Sequence, residues 1–387
     1  MKRAYPAALI YVGFFLLGLQ LILWGVLLPD IRADLGMSAA TSGWFFLTMT
    51  LGTISGSFLG GKYVQKFEFL RLFAGLALCV ASLLALISYS QDVWQLFVCA
   101  GLFGLFASVM FTIGHTLIAR LFAEKRARMM GIMDFMFSLG TLAAPFFVIV
   151  LYWSPDLASW RVPVRLMAAC LVLLAAWAYA LSRHPLQLAV LASAPKTSLS
   201  YRDALVKPEF VALALAMFGY GAVEWGNGNW FVSYAVAAEQ PLAAEQARLV
   251  FAFFTGGMVI SRLGFSFLIP VFGVRLLLRV LGSCMLLGAI GVRAFESAEA
   301  LSLANLLLGL GLGGLYPLLL ATAMDMSPEQ GPVLSGLSNI AGSLGSQLAG
   351  LGIGLWAQAQ GLTTAFYFIP LLALWLLGTV WGFSRRV

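Results

Sequence analysis

The chain has 387 residues, 61% of them hydrophobic and only 10% charged, with a formal net charge of +7. Soluble domains run at about 45–50% apolar and about 25% charged, so no water-soluble core would hide this much apolar surface. The sequence is that of an integral membrane protein, and its sparse positives are read by their placement rather than as a nucleic-acid footprint.

Apolar stretches of about 20 residues cross a bilayer as helices, because lipid leaves the backbone no other way to satisfy itself. Such stretches fall at 7–29, 41–61, 71–90, 93–121, 128–152 and 164–182, and again at 208–236, 247–270, 274–293, 299–324, 330–357 and 362–384. The expected fold is therefore all-α, with twelve transmembrane helices in two six-helix bundles. The domains are 1–182, a cytoplasmic linker at 183–207, and 208–387. The first stretch follows the basic start MKR and runs on to about Leu28, too long for the apolar core of a cleaved signal peptide. It carries Gln20 and Trp24.

Orientation follows from Lys and Arg. With the N-terminus in the cytoplasm, the far side holds Arg32, Arg161, Arg165, Arg248 and Arg293, and Arg262 lies in the eighth span. The cytoplasmic segments keep the other 17 of the 23. The positive-inside rule then puts both termini in the cytoplasm, as in a protein of a bacterial inner membrane.

His115 in the fourth span and Asp134 in the fifth lie equally far from the midpoint of the turn between them. An antiparallel hairpin therefore sets them at one depth, roughly 10 Å in from the helix ends at about 1.5 Å per residue. A charge at such depth is costly and tends to be paired and functional. Imidazole titrates near neutral pH, and apolar surroundings favour a neutral acid, so the two are candidates to carry a proton. A structural lock between the two helices is the alternative. In the seventh span, Tyr220 and Asn227 share a helix face with Glu224, and four glycines occur between Gly219 and Gly228. Glu224 is a third candidate for proton coupling, substrate hydrogen bonding or gating. Trp225 is its neighbour; Asn305, Asn339 and Gln347 lie in spans ten and eleven.

The halves repeat. AEKRARMMGIMDFMFSLGT at 123–141 aligns with PEQGPVLSGLSNIAGSLGS at 328–346, 205 residues on, placing Asp134 opposite Asn339. A looser match sets Trp24-Gly25 against Trp225-Gly226. Duplicated six-helix halves build alternating-access transporters.

Taken together, the chain resembles the major facilitator superfamily over nearly its whole length. The loop motif of that family survives in part as GKYVQKFEFLR at 61–71, with Gln65 and Glu68 departing from it, and as SRLGFSFLIPVFGVR at 261–275. The resemblance implies gating roles for Lys66, Arg71, Arg262 and Arg275. GHTLIARLF at 114–122, LGTLAAPF at 139–146, GYGAVEWGNGNW at 219–230 and GLGLGGLYP at 309–317 are similar to the fucose–galactose–gluconate proton symporters. The drug-antiporter pattern of the fifth helix breaks at Val148-Ile149.

No P-loop or nucleophile constellation occurs, so the expected protein is no enzyme, needs no cofactor, and runs on an ion gradient, of protons or of sodium. No Lys or Arg sits deep in either half, whereas carboxamides and aromatics are plentiful. That set matches a hydroxylated neutral solute such as a sugar, with Gln20, Trp24, Tyr220, Trp225, Asn227, Asn305, Asn339 and Gln347 as candidate binding residues. Alternatives are a proton-driven exporter of organic cations and a non-transporting sensor. The expected partners are the small-molecule substrate, the coupling ion and the bilayer, with the protein acting as a monomer.

Overall fold

The computed structural model describes residues 3–63, 67–184, 206–327 and 331–385. The chain divides into two compact units, Met1–Ala192 and Ser193–Val387. Most of the expected linker, 185–205, lies outside the described residues.

The first unit holds α1 (Ala4–Leu35), α2 (Ala39–Tyr63), α3 (Phe69–Ser88), α4 (Val93–Leu121), α5 (Arg126–Tyr152) and α6 (Arg161–Ser182). α1 is longer than the first apolar stretch. It carries Pro29 internally and stops at Gly36, whose φ of 62° only glycine adopts without strain. Glu68, one of the two residues that depart from the loop motif, caps α3 by accepting hydrogen bonds from the backbone N–H groups of Leu70 and Arg71.

The second unit begins with α7 (Pro208–Val236). The helical run Ala244–Ala294 follows, and Gly273 (φ 70°, ψ 157°) divides it into α8 (244–272) and α9 (274–294). α10 (Ala298–Met326), α11 (Gly331–Gln360), a four-residue turn of helix Leu362–Ala365 and α12 (Phe368–Ser384) complete it. The break at Gly273 falls between the eighth and ninth expected spans, so Arg262 sits within α8 and Arg275 in the first turn of α9. Pro270 removes a helical donor three residues before that break.

Ten of the described helical segments are long and apolar enough to cross a membrane; α2 and α7 are not among them. α2 is dense in Ser, Thr and Gly, and α7 carries Glu224, Asn227 and Asn229.

Glycines set the helix crossings, as expected where apolar tails compete with apolar side chains and close backbone approach must supply the attraction. A Cβ on Gly140 of α5 would collide with the Phe15 carbonyl of α1, and one on Gly18 with that of Phe137. In the second unit, Gly345 of α11 meets the Phe218 carbonyl of α7, and Gly221 that of Gly342. The same exchange joins α2 to α4 (Gly52 to Gly101, Gly104 to Met49) and α8 to α10 (Gly257 to Leu306, Gly309 to Phe254). Three of these helices repeat at 205 residues: α2 to α8 (Gly52, Gly257), α4 to α10 (Gly104, Gly309) and α5 to α11 (Gly140, Gly345). The first helix repeats at 203: Gly18 corresponds to Gly221 and Phe15 to Phe218. The Trp24–Trp225 match, at 201, is therefore out of register by two, and Trp24 corresponds to Asn227.

Gly140→Val and Gly345→Val should each lower the melting temperature in a fluorescence unfolding scan, since overpacking costs about 1–3 kcal/mol. Gly350→Ala should not, because a Cβ there meets nothing within 4 Å. Equal melting temperatures for all three would refute the crossing assignment.

Candidate functional site

In the first unit, α4 and α5 bring together the pair expected from depth alone: His115 Nε2 lies 3.6 Å from Asp134 Oδ1. The other ring nitrogen, Nδ1, is 3.0 Å from the Phe111 carbonyl oxygen. A carbonyl only accepts, so Nδ1 carries a proton. In a neutral imidazole Nε2 would then turn its lone pair toward the carboxylate, acceptor against acceptor. Phe14 and Phe111 pack on the imidazole, with ring centroids 5.1 and 4.3 Å away. Asp134, however, is not enclosed: its side chain is 63% exposed and His115's 27%. Protein burial thus does not supply the apolar surroundings anticipated for this carboxylate.

The more enclosed carboxylate is Glu224 of α7, with a side chain 17% exposed. Arg262 of α8, 28% exposed, donates from Nη2 to Glu224 Oε1 at 3.1 Å and to the Tyr220 hydroxyl at 3.3 Å. The Tyr220 ring packs against Tyr316 of α10, centroids 5.3 Å apart. The Tyr316 hydroxyl donates to Asn339 Oδ1 of α11 at 3.0 Å. One turn along α7 from Glu224, buried Asn227 donates from Nδ2 to Asn305 Oδ1 of α10 at 3.2 Å. Asn305 Nδ2 in turn donates to the Leu301 carbonyl. Asn227 Oδ1 is buried without a hydrogen-bond partner among the described residues. A polar lane thus joins α8, α7, α10 and α11, built from Arg262, Glu224, Tyr220, Asn227, Asn305, Tyr316 and Asn339.

The two units differ sharply at matched positions. Trp24, which corresponds to Asn227, is fully buried and packs edge-on against Phe45 of α2 and Phe103 of α4, centroids 5.7 Å in each case. An aromatic plug in one unit stands where the other has a carboxamide pair. Gln20, one turn from Trp24, is buried with neither side-chain polar atom partnered among the described residues. Gln347 donates to Ser346 Oγ at 2.9 Å. Trp225 is half-buried, Asn339 is exposed, and Arg71 and Arg275 are exposed near helix starts. Lys66 lies outside the described residues.

Arg262, which the sequence places in the eighth span, is the partner of Glu224. The spans also hold more buried cation than expected: Arg248, counted on the far side of the membrane, lies inside α8 and is 2% exposed. Tyr316 went unnoticed, its only signal being a polar hydroxyl beside Pro317 in a glycine-rich helix.

Twelve long helices among the described residues, ten of them long and apolar enough to cross a membrane, stand in two repeating sets with an ionisable pair held inside each; they define a polytopic membrane transporter rather than an enzyme. The chain belongs to the Major Facilitator Superfamily, whose profile matches residues 10–350. It is similar to the sodium-dependent glucose transporter 1 of Homo sapiens, 27% identical over 134 residues, which make up 34% of this chain and 26% of that protein. The matched stretch is likewise only 32% of sodium-dependent glucose transporter 1A of Mus musculus. Over most of its length it is similar to the uncharacterized MFS-type transporter YfkF of Bacillus subtilis (strain 168), 26% identical over 372 residues, 92% of this chain and 90% of that one. Among solved structures, the nucleoside transporter NupG superposes with a TM-score of 0.80 at 13% identity, over 100% of this chain and 99% of that one. A bacterial homolog to the human lysosomal transporter Spinster, inward-facing and occupied, gives 0.79 at 15%, over 100% and 97%.

Proposed function

We propose that this transporter is a proton-coupled symporter of a neutral, hydroxylated small molecule of the sugar class, working by alternating access. The observation that carries the substrate class is the Asn227–Asn305 pair with its unpartnered buried acceptor, Asn227 Oδ1. A buried polar atom left without a partner is costly, and a solute hydroxyl is the group that would satisfy it. Tyr220, about two turns along α7 from Asn227, offers an aromatic ring. The solutes named for two similar proteins, glucose and nucleoside, are likewise neutral and rich in hydroxyls. Arg262 does not argue for an anion, because Glu224 already neutralises it.

Coupling is assigned to the two ionisable clusters. Glu224 would exchange its bond to Arg262 for a proton during the cycle, and the His115–Asp134 pair would hold or release one. Both termini are cytoplasmic in this reading and the protein sits as a monomer in a bacterial inner membrane, from the distribution of Lys and Arg.

A thermal-shift screen of the purified protein against sugars, organic cations and carboxylates, followed by vesicle uptake of the hits, tests the reading. A sugar-class hit should be taken up with protons. Asn227→Ala and Asn305→Ala should each weaken its apparent affinity about tenfold or more, since the lost or stranded hydrogen bond is worth about 1–3 kcal/mol. Hits confined to dicarboxylates, with uptake lost in Arg262→Gln, would overturn the substrate class. Proton-driven extrusion of an organic cation would overturn the direction.

A further inference from the structure

The second unit carries two adjoining surface features that the transport reading does not use. Between α9 and α12 runs a groove of about 430 Å³ lined by Leu286, Ile290, Tyr367, Pro370, Leu371 and Leu374, within the range of ligand clefts, about 300–1,000 Å³. Its residues step along α9 and α12 a turn at a time, so it runs along the helix axes. Along α9, Leu286 lies roughly 10 Å below Arg293 at about 1.5 Å per residue. Ile290, Tyr367, Leu371 and Leu374 are exposed, which in a membrane-spanning helix means that they face lipid. At the upper end the groove meets Arg293, whose guanidinium carbon lies 4.0 Å from the centroid of the Tyr367 ring. Arg293 also lines a polar cleft of about 150 Å³ with Glu239, Gln240, Glu296 and Thr363. Its Nε is buried and has no hydrogen-bond partner among the described residues.

We infer that this surface is a binding site for a zwitterionic phospholipid whose headgroup ends in a primary ammonium. One acyl chain lies in the groove between α9 and α12. The phosphate sits at Arg293, and the ammonium is received by Glu239 and Glu296. Along the surface an apolar groove is followed by a cation and then by carboxylates, the complement of such a lipid's hydrocarbon, phosphate and ammonium. Charge complementarity decides among lipids. An anionic headgroup without an amine would meet Arg293 but also two exposed carboxylates. A trimethylammonium group carries the charge but has no N–H to donate to them.

The test is native mass spectrometry of the full-length protein released from bilayers with equal parts of dioleoyl phosphatidylethanolamine, phosphatidylcholine and phosphatidylglycerol. Phosphatidylethanolamine should be the retained lipid. Arg293→Gln should reduce its occupancy about tenfold, the effect expected of a lost charge-assisted hydrogen bond. The double substitution Glu239→Gln with Glu296→Gln should abolish the preference over phosphatidylcholine. Leu371→Trp, or Leu374→Trp if the first fails to fold, should displace the lipid by filling the groove. Equal retention of the three lipids, preferential retention of phosphatidylglycerol, or unchanged occupancy in a folded groove-filling variant would overturn the assignment.

Discussion

Glu224→Gln is expected to lower the melting temperature sharply and to abolish accumulation of substrate against a gradient, whereas the double substitution Glu224→Gln with Arg262→Gln should recover the melting temperature but not the accumulation. The two partners respond differently to losing the other. Removing the carboxylate leaves a guanidinium in the membrane that cannot shed its charge. Breaking a buried ion pair by removing one partner costs about 3–5 kcal/mol, a large share of a total stability of about 5–15 kcal/mol. Removing both charges removes the penalty, and the remaining carboxamides can bond to one another and to the Tyr220 hydroxyl. Arg262→Gln alone should be milder, since a stranded carboxylic acid escapes by taking a proton. Its melting temperature should therefore rise as pH falls, because protonation removes the charge that nothing balances, and decline as pH rises. Fluorescence unfolding scans across pH, with proton-driven uptake into vesicles, read both parts. A Glu224→Gln protein with normal melting temperature and normal accumulation would remove the pair from the mechanism.

What the sequence disclosed and what it hid divide along physical lines. The membrane demands long apolar helices, so most spans were legible from composition; α2 and α7 were marked as well, although their Ser, Thr, Gly and Asn content keeps them outside the set that hydropathy alone identifies. The run at 261–275 divides between the eighth and ninth expected spans, and the break falls at Gly273, the residue within Ala244–Ala294 that leaves helical geometry. The repeat of 205 residues was visible in the SLG motif, whose glycines make the backbone crossings at Gly140 and Gly345. The register of α1 against α7 was not. A Trp-Gly dipeptide recurs there by coincidence, whereas the crossing glycines Gly18 and Gly221 set the true correspondence.

The same contrast holds for the sites. His115 and Asp134 could be paired by counting from a short turn, because two helices joined tightly must keep their depths matched. The Glu224–Arg262 contact escaped that count. Taking 240 as the turn between α7 and α8, the two residues lie 16 and 22 positions from it. That offset of roughly 9 Å at 1.5 Å per residue is closed only by the length of the arginine side chain. The asymmetry between Trp24 and Asn227 was hidden for a further reason: it emerges only once the register is corrected. It explains why the carboxamide lane belongs to the second unit, since the matched place in the first is filled by an indole and two phenyl rings.

That asymmetry frames the role of the first unit's own ionisable pair. His115 and Asp134 occupy a region whose counterpart holds Tyr316 and Asn339: Asp134 matches Asn339, and Tyr316 matches Phe111, one turn from His115. The second unit thus has a hydroxyl-to-carboxamide bond that cannot titrate where the first has imidazole against carboxylate. Asp134→Asn is accordingly expected to abolish accumulation against a gradient while leaving counterflow exchange measurable, since exchange needs the moving protein but no net proton transfer. His115→Asn should shift the pH dependence of uptake, because the remaining carboxylate would no longer share its proton with an imidazole. Neither should cost much stability: Asp134 is 63% exposed, and open ion pairs contribute about 0–1 kcal/mol. A small change in melting temperature with a large change in coupling is the signature that separates this pair from Glu224 and Arg262, for which both quantities move. If Asp134→Asn still concentrates substrate with an unchanged pH profile, the pair is a structural link between α4 and α5, and coupling falls to Glu224 alone.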